Sequence, residues 1–419
     1  MIDDGYFLDT ERDSWEPVLL DPPAPEGGMW NELTREQDEI RRRAREVAVT
    51  ELRPWASHWD ETEEFPRRSL EAVREAGLLN LCIPEEYGGQ GKSLFEGCLV
   101  VEELGRVCLS SAMAVQPYLN GPWRAIHELG SDEMRQRLLP SVADGSSHFA
   151  IGMSEPGAGS AGTDLRTELK PDGDGFRLSG VKSWMTGGAD ADTIIVFGRY
   201  PGSEGPYGIG AVVITGRPDG MSEPEIDPKM GIRGVGECTY RFENVRIEPE
   251  DVLIMPNPDT KDGARVLVNQ FNPERCGNAA MCVGLGQGAL DATIGYLKTR
   301  QQFGRHLVEF QGLQWKVADM AVDVEIARML LWRAARSAED GFPEQRGTIL
   351  AKLHSSEMVL RVTNQAIQSL GARGYSRRWP VERMFRDGRG LAIGGGTAEV
   401  MRNMLAGLVL DTRMSQRRG

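Results

Sequence analysis

The spacing of apolar residues along the chain predicts helices first, then strands, then helices again. Apolar residues recur at helical spacing across residues 31–148, as on the buried face of a helix. Residues 149–258 carry short apolar runs and one alternating run, 240–247, which are typical of strands. Helical spacing returns across residues 259–419. This order excludes the strand–helix alternation of a Rossmann-type nucleotide site.

These changes of pattern predict an α+β chain of three domains behind an N-terminal arm. Residues 1–30 are rich in proline, glycine and acidic residues, so we expect an arm without a core of its own. An N-terminal all-helical domain over 31–148 and a middle β domain over 149–258 should follow. Long amphipathic runs separated by short breaks predict an antiparallel four-helix bundle over 259–419. Within the first domain we expect Pro140 to end a short helix.

Charge and cysteine content restrict the function classes. A net charge of −14 over 419 residues argues against a nucleic-acid or anionic-membrane partner. The 6 cysteines form no CxxC pair and no zinc-like spacing with the 5 histidines, so we expect reduced thiols and no metal site. The chain lacks both a signal-like N-terminus and an apolar run of the ~18 residues that a membrane span needs. We therefore expect a soluble cytoplasmic protein.

Three stretches have the residue types of a cofactor site, although each also has an ordinary structural explanation. The Gly/Ser-rich run 153–160 allows close backbone approach to a pyrophosphate or a polar ring edge, and it is also a plausible turn. Trp184 could stack on a flat ring or fill the β core. Arg300, in the run Arg-Gln-Gln-Phe-Gly, could hold a phosphate or simply end a helix.

A fourth stretch, residues 269–277, places Glu274 directly after a proline inside the first long helical run of the last domain. A proline in a helix frees a carbonyl and bends the axis. A carboxylate at such a bend is suited to act as a base in a pocket. The alternative is a solvated pair formed by Glu274 and Arg275.

Taken together and in this order, these motifs resemble those of the acyl-CoA dehydrogenase family of flavoproteins. The resemblance covers about residues 33–410. It rests on Pro84-Glu-Glu-Tyr-Gly-Gly, Ser154-Glu-Pro-Gly-Ala-Gly-Ser, Trp184-Met-Thr-Gly, Lys229-Met-Gly-Ile-Arg-Gly, Arg300-Gln-Gln-Phe-Gly, Gln368-Ser-Leu-Gly-Ala-Arg-Gly, Arg383-Met-Phe-Arg-Asp and Gly396-Thr-Ala-Glu. It implies a helical domain, a β-barrel and a four-helix bundle in a homotetramer (or homodimer), with FAD between barrel and bundle. It also implies an acyl-CoA substrate and an electron-transferring flavoprotein or similar acceptor.

The resemblance also implies roles for particular residues. Those expected to line the flavin are Met153, Ser154, Trp184 and Thr186, with Ser160 near the pyrophosphate and the acyl-CoA. Those expected to reach the FAD of a neighbouring subunit are Arg300, Phe303, Gln311, Gln368, Leu370 and Gly371. Thr397 and Glu399 would touch the cofactor of their own subunit. Asn272, Arg275 and Gly396 would bind the substrate, with Arg275 near its CoA moiety.

The chain departs from the family at the usual base. Most members carry a catalytic glutamate in the form Tyr-Glu-Gly-Thr, whereas this chain has Gly395 at that position, within Ile393-Gly-Gly-Gly-Thr. A minority branch, typified by isovaleryl-CoA dehydrogenase, takes its base from the position that matches Glu274. The resemblance therefore implies that Glu274 removes the α proton while the β hydride passes to flavin N5. The thioester carbonyl would accept from the Gly395 N–H, and excluding water should raise the carboxyl pKa toward ~6–7.

The three consecutive glycines that begin at Gly394 remove side-chain volume, so we expect a branched, cyclic or otherwise bulky acyl group. Two other functions on the same fold remain open. One is dehydrogenation of an acyl or aminoacyl group tethered to a carrier protein, as in secondary metabolism. The other is a flavin monooxygenase or a non-enzymatic flavoprotein, against which Glu274 counts because neither needs a carboxylate base.

Overall fold

The computed structural model describes residues 33–338 and 341–412, without the side chains of Leu267, Val268 and Gln270. The predicted arm, residues 1–30, lies outside the described residues. The helices of the N-terminal region are α1 (Arg35–Val47), α2 (Ala56–Thr62), α3 (Arg67–Glu75), α4 (Leu94–Gly105), α5 (Leu109–Asn120), α6 (Trp123–Leu129) and α7 (Asp132–Ala143).

Local sequence explains where the first helix begins. The Thr34 hydroxyl accepts a hydrogen bond from the Gln37 N–H at 3.2 Å, and the Gln37 amide oxygen accepts from the Thr34 N–H at 3.0 Å. This reciprocal capping box satisfies N–H groups that the first turn of a helix leaves unpaired. The α4 helix begins in the same way at Ser93 and Glu96.

The middle region is a single mixed sheet of eight strands. Its strands are β1 (Phe149–Gly152), β2 (Glu168–Asp172), β3 (Gly175–Thr186), β4 (Thr193–Arg199), β5 (Ile209–Thr215), β6 (Glu225–Asp227), β7 (Glu237–Ile247) and β8 (Val252–Ile254). They are ordered β6-β7-β3-β2-β4-β5-β8, with β1 joining β4 as a parallel neighbour. The predicted middle β domain is thus a sheet with a small core of its own, which includes Leu178, Val212 and Tyr240.

The C-terminal region is helical, as the sequence predicts. Its elements are α8 (Asp262–Thr299), a small hairpin of β9 (Gln301–Gln302) and β10 (Arg305–His306), α9 (Gln311–Arg336), α10 (Gln345–Leu370), α11 (Ala372–Tyr375), α12 (Pro380–Leu391) and α13 (Ala398–Val409). The α8 helix packs against α9, α10 and α12 of its own region and against α4 and α5 of the first. A continuous apolar core therefore joins the two helical regions around α8. No helix in the described part of the chain is long and apolar enough to cross a membrane.

Prolines are tolerated within helices more often than the sequence suggests. Pro140 was expected to end its helix, but α7 continues to Ala143. Pro117 lies within α5 and Pro273 within α8. Burial of Leu138, Leu139 and Val142 on one side of α7 compensates for the hydrogen bond that the proline cannot donate.

The family-like motif at residues 229–234 connects the sheet to both helical regions. Asp387 on α12 accepts a hydrogen bond from the Ile232 N–H at 2.6 Å. Arg386 donates to Asp60 of α2 at 2.6 and 2.7 Å and to the Met230 carbonyl at 3.1 Å. This loop of the sheet is therefore fastened to both helical regions.

A buried network of charges joins α4, α8 and α9. Arg328 donates to Glu102 at 2.8 Å and to Gln287 at 2.9 Å, and Gln287 donates to Asp291 at 3.0 Å. Arg106 completes the network through Asp291 at 2.5 Å. All five side chains are buried, so each charge depends on its partners for the solvation that water would otherwise give.

Replacing Arg328 by methionine should lower the melting temperature far more than replacing Arg361. Arg328→Met leaves the buried Glu102 carboxylate without its cation, a loss of roughly 3–5 kcal/mol. The Arg361–Asp323 pair is partly exposed, with 50% and 26% of the two side-chain surfaces accessible, so its loss should cost about 1 kcal/mol. Thermal unfolding of the two purified variants under identical conditions measures the difference. Equal shifts would show that the network does not contribute as argued.

Candidate active site

Glu274 lies on α8 directly after Pro273, with its side chain partly buried. Because residue 273 has no N–H, the Asn269 carbonyl lacks its usual helical donor. Among the described residues no group donates a hydrogen bond to the Glu274 carboxyl. Burial raises the pKa of Glu274 to about 8, opposed in part by the neighbouring Arg275 cation. The carboxyl can therefore exchange a proton at a pH near neutrality, as a general base must.

Arg275 turns away from solvent toward the glycine-rich segment. Its Nη1 donates to the Asn272 Oδ1 at 2.8 Å, and its Nε donates to the Gly395 carbonyl at 3.4 Å. Burial lowers the pKa of Arg275 to about 10, so the guanidinium stays charged at neutral pH. The structure thus brings together Asn272, Glu274, Arg275 and Gly395, all of them predicted site residues.

The glycine-rich segment is a turn in which two residues have left-handed backbone. Gly395 has φ +68° and Gly396 has φ +97°. A side chain at Gly395 would place its Cβ 2.5 Å from Nδ2 of Asn278, and one at Gly396 would come 2.8 Å from Cε of Met401. The left-handed backbone therefore favours glycine at both positions. A glutamate at Gly395 would be strained in this conformation and would have to displace the Asn278 amide.

Asn278 also fixes where the turn lies relative to Glu274. The two residues are four apart on α8 and share one face of the helix. Since Asn278 touches the position where a Gly395 side chain would begin, Glu274 lies one helical turn, about 5–6 Å along the axis, from the turn. The usual base position thus packs against the same helix that carries its proposed replacement, about one turn away.

A second group of predicted residues surrounds the Gly/Ser-rich loop. The buried Lys182 on β3 donates to the Met153 carbonyl at 3.0 Å and to the Glu155 carboxylate at 2.7 Å. The Ser183 N–H donates to the Ser154 carbonyl at 2.9 Å. These bonds hold the loop against β3. Lys182 and Glu155 were not predicted, because a buried ion pair between distant residues leaves no local sequence signal.

Trp184 stands out from the sheet next to this loop. A register shift between β3 and β7 follows Lys182, and Trp184 itself has φ +57°, a conformation that non-glycine residues rarely adopt. Its side chain is 59% exposed. The side chain of a strand tryptophan would normally be buried, so a flat, exposed ring here points to a ligand-binding surface. Thr186, two residues on, donates to the Glu237 carboxylate at 2.9 Å.

The α13 helix begins immediately after the glycine turn. The Thr397 hydroxyl caps it by accepting from the Val400 N–H at 3.2 Å, and Glu399 lies exposed in its first turn. Thr397 and Glu399 therefore border the turn, and their predicted contact with the cofactor stays a prediction. Ser160 lies exposed on the Gly/Ser-rich loop.

The remaining predicted residues lie far from Glu274 in the same chain. Arg300 ends α8, 26 residues after Glu274, which corresponds to about 39 Å of helix. Phe303 is 92% exposed with φ +52°, at the tip of the β9–β10 hairpin, and Gln311 opens α9. The others, Gln368, Leu370 and Gly371, lie at the C-terminal end of α10. One chain alone does not bring these residues to the base.

Comparison with known proteins agrees with this arrangement. Models described as the acyl-CoA dehydrogenase N-terminal, middle and C-terminal domains match residues 34–146, 150–245 and 261–410. The chain belongs to the acyl-CoA dehydrogenase family. It is 40% identical over 389 residues to a 3-sulfinopropanoyl-CoA desulfinase of Paraburkholderia xenovorans, covering 92% of this chain and 99% of the relative.

Two further proteins to which the chain is similar are named as acyl-CoA dehydrogenases. The chain is 34% identical to a short-chain-specific acyl-CoA dehydrogenase of Clostridium acetobutylicum, over 90% of this chain and 98% of that protein. The structure of butyryl-CoA dehydrogenase from Megasphaera elsdenii superimposes with a TM-score of 0.87 at 29% identity, covering 91% of this chain and 100% of that one. This acyl-CoA dehydrogenase family member is an enzyme, and its cofactor is FAD.

The residues present fit a flavin. The exposed Trp184 ring offers a flat stacking surface, and additional Cβ atoms at Gly157 and Gly159 would meet nothing within 4 Å. The loop backbone is therefore accessible to a ligand on that side. Met153 and Ser154 belong to this loop, which is bonded to β3 beside Trp184, and Thr186 follows Trp184 by two residues on β3. These residues would hold the isoalloxazine ring of FAD.

Substituting alanine at Gly395 should destabilise the protein, whereas alanine at Gly394 should be tolerated. Gly395→Ala places a Cβ in a left-handed backbone, which costs about 1–2 kcal/mol, and against the Asn278 amide. A Cβ at Gly394 would meet only the Gly390 carbonyl, at 3.7 Å. Thermal unfolding compares the variants. Adding Asn278→Ala should restore part of the loss at Gly395, and a double variant that melts no higher than Gly395→Ala would contradict the packing argument.

Proposed function

We propose that this chain catalyses the FAD-dependent α,β-dehydrogenation of an acyl-CoA thioester, with Glu274 as the base that removes the α proton. The observation that supports this proposal is the Glu274 carboxyl, which burial holds at a pKa of about 8 beside a turn in which the family's usual glutamate would be strained. A carboxyl withdrawn from water without a hydrogen-bond donor is destabilised as an anion, and it gains by taking up a proton. Such a group is suited to proton removal and unsuited to a purely structural role.

The Gly395 amide supplies the second requirement. Removing an α proton places negative charge on the thioester oxygen, which needs a hydrogen-bond donor fixed in advance. Among the described residues no group accepts a hydrogen bond from the Gly395 N–H. Its carbonyl, by contrast, is held by Arg275. The amide is therefore available, and on the order of 3 kcal/mol of stabilisation is usual for such a donor.

Arg275 and Asn272 lie on α8 and support this turn, and both were also predicted to bind the substrate. We assign Arg275 to holding the Gly395 carbonyl, on the basis of its bonds, and Asn272 to orienting Arg275. The predicted proximity of Arg275 to CoA stays a prediction, as do the substrate contacts of Ser160 and Gly396.

FAD supplies the acceptor for the β hydride. Trp184, Ser154 and Thr186 would orient the ring from the sheet side, while Thr397 and Glu399 border it from α13. We propose that Arg300 and Phe303, with the other remote residues, complete the cofactor site of a neighbouring subunit. Arg300, for example, lies about 39 Å along α8 from Glu274 of its own chain. An electron-transferring flavoprotein or a similar acceptor would then reoxidise the cofactor.

The acyl group should be branched, cyclic or otherwise bulky. The Gly394–Gly396 segment bears no side chain where most relatives carry Tyr-Glu, and the side of Gly394 is open to within 3.7 Å of the Gly390 carbonyl. A base on α8 and a glycine turn together are the features of the isovaleryl-CoA dehydrogenase-like branch, which is our proposal for this chain.

A second candidate is desulfination of a sulfinoacyl-CoA, favoured by the 40% identity to the Paraburkholderia xenovorans desulfinase. Replacement of a sulfinate group by hydrogen uses water and yields an acyl-CoA and hydrogen sulfite, so it requires no net oxidant. Dehydrogenation instead leaves the flavin reduced. The two reactions therefore differ in whether the bound flavin stays bleached.

Anaerobic mixing of the FAD-loaded enzyme with straight, branched and cyclic acyl-CoAs and with 3-sulfinopropanoyl-CoA separates these functions. We expect lasting loss of flavin absorbance, fastest with a branched or cyclic substrate, and formation of the enoyl-CoA. Sulfite release from 3-sulfinopropanoyl-CoA without lasting bleaching would favour the second candidate. No bleaching with any acyl-CoA would refute the proposed dehydrogenation.

Replacing Glu274 by glutamine should slow flavin bleaching by about 10²–10⁴-fold, the usual contribution of a general base. In the wild type, the bleaching rate at low substrate should rise with pH up to about 8, as the carboxyl loses its proton. Stopped-flow absorbance over pH 6–9 measures both effects.

Thermal unfolding of the same variant is the control for folding. Because the folded pKa of Glu274 lies above its unfolded value, its contribution to stability is present at low pH and is lost as pH rises through about 8. Glu274→Gln should therefore melt at or above the wild-type temperature at pH 9. Bleaching at the wild-type rate by a folded Glu274→Gln enzyme would refute the assignment of the base.

A further inference from the structure

Lys352 is a buried ammonium group that the sequence gives no reason to notice. It lies on α10 with 1% of its surface exposed. In the described part of the chain no carboxylate lies within ion-pair distance of it, although burying an unpaired charge is costly. Its Nζ donates a hydrogen bond to the Gly396 carbonyl. The charge is thus directed at the glycine turn.

Two cations from different helices therefore hold consecutive carbonyls of this turn. Arg275 of α8 binds the Gly395 carbonyl and Lys352 of α10 binds the Gly396 carbonyl. Glycine with positive φ has wide conformational freedom, while each peptide group is rigid. Fixing both carbonyls therefore fixes the planes of the peptides on either side of Gly396, which carry the N–H groups of Gly396 and Thr397. The backbone of Gly395 is then anchored on its C-terminal side.

We infer that Lys352 is a positioning residue for the dehydrogenation proposed above. Its ammonium holds the peptide that follows Gly396 and, with Arg275 on the peptide before Gly396, anchors the downstream side of the turn whose Gly395 N–H would face the thioester oxygen. The inference rests on the proposed function, because an aimed N–H matters only if charge develops on that oxygen. Lys352 itself touches neither base nor substrate in this account.

The charges around Lys352 make the arrangement dependent on pH. Burial lowers the pKa of Lys352 to about 8; Cys282 of α8 opposes the shift, Arg275 adds to it and Glu399 of α13 opposes it. The ammonium is present below that pH and is lost above it. Because Glu274 must be ionised while Lys352 must be protonated, bleaching should pass through a maximum near pH 8 and decline at higher pH.

Two substitutions of Lys352 and one control test the inference on the full-length, FAD-loaded enzyme. Lys352→Met removes the donor, whereas Lys352→Arg keeps a charge that does not titrate below pH 10. Thr363→Val is the matched control. It removes a buried hydroxyl on the same helix that bonds only to the Val359 carbonyl, at 2.6 Å, away from the turn.

We expect Lys352→Met to lower the limiting bleaching rate by about 10- to 100-fold, with a smaller change in the acyl-CoA concentration needed for half-saturation. Lys352→Arg should retain most of the rate and lose the decline above pH 8. Thr363→Val should melt at a lower temperature yet bleach at the wild-type rate with the wild-type pH profile. The substrate is the acyl-CoA that bleaches the wild type fastest.

A Lys352→Met enzyme that binds FAD and bleaches at the wild-type rate would overturn the inference. A Lys352→Arg enzyme whose bleaching rate still declines above pH 8 as in the wild type would also overturn it. If the methionine variant fails to load FAD, the arginine variant alone tests the inference. A wild-type enzyme that no acyl-CoA bleaches would refute the proposed function instead, so the two failures are distinguishable.

Discussion

The proposed site depends on a partly buried carboxyl group, that of Glu274, which receives no hydrogen bond from the described residues. Packing of α8 between the two helical regions provides this environment, since the same helix is in contact with α4, α5 and the rest of its bundle. The apolar burial around α8 offsets the free energy of holding Glu274 with a pKa of about 8. Stability elsewhere in the fold thus sustains an unfavourable group at the site, as is common where a residue is needed for chemistry.

The glycine turn and the helix constrain each other. Asn278 occupies the space where a side chain at Gly395 would begin, so a base on the turn and this packing exclude one another. With the turn reduced to backbone, its conformation must be fixed from outside, and Arg275 and Lys352 do this through its carbonyl groups. The proposed base, oxyanion donor and positioning cations then lie on three elements, α8, the turn and α10, that pack together.

Much of the fold could be predicted from the sequence because the local spacing of apolar residues distinguishes helices from strands. The order of helical, β and helical regions is confirmed, and so are the long helices α8, α9 and α10. The continuation of α7 through Pro140 could not be predicted, because tertiary packing overrides the local preference of proline. The helix α12 was also missed, since its short amphipathic pattern lies among glycines and arginines.

The candidate site was only partly accessible from sequence for a similar reason. Glu274 and Gly395 stand in recognisable motifs, and the structure places both at one location. Lys352 and Asn278 lie in ordinary helical runs. They contact the glycine turn only because α8 and α10 pack against it. The pKa of the Glu274 carboxyl is raised, as predicted, although to about 8 where ~6–7 was expected.

The most direct test of Glu274 as the base is a crystal structure of the FAD-loaded enzyme with an acyl-CoA in place. We expect a Glu274 carboxylate oxygen about 3–3.5 Å from the α carbon of the acyl group, with the thioester oxygen accepting from the Gly395 N–H. A Glu274 side chain turned to solvent, or an acyl α carbon beyond its reach, would contradict the assignment of the base even if the flavin occupied the expected surface.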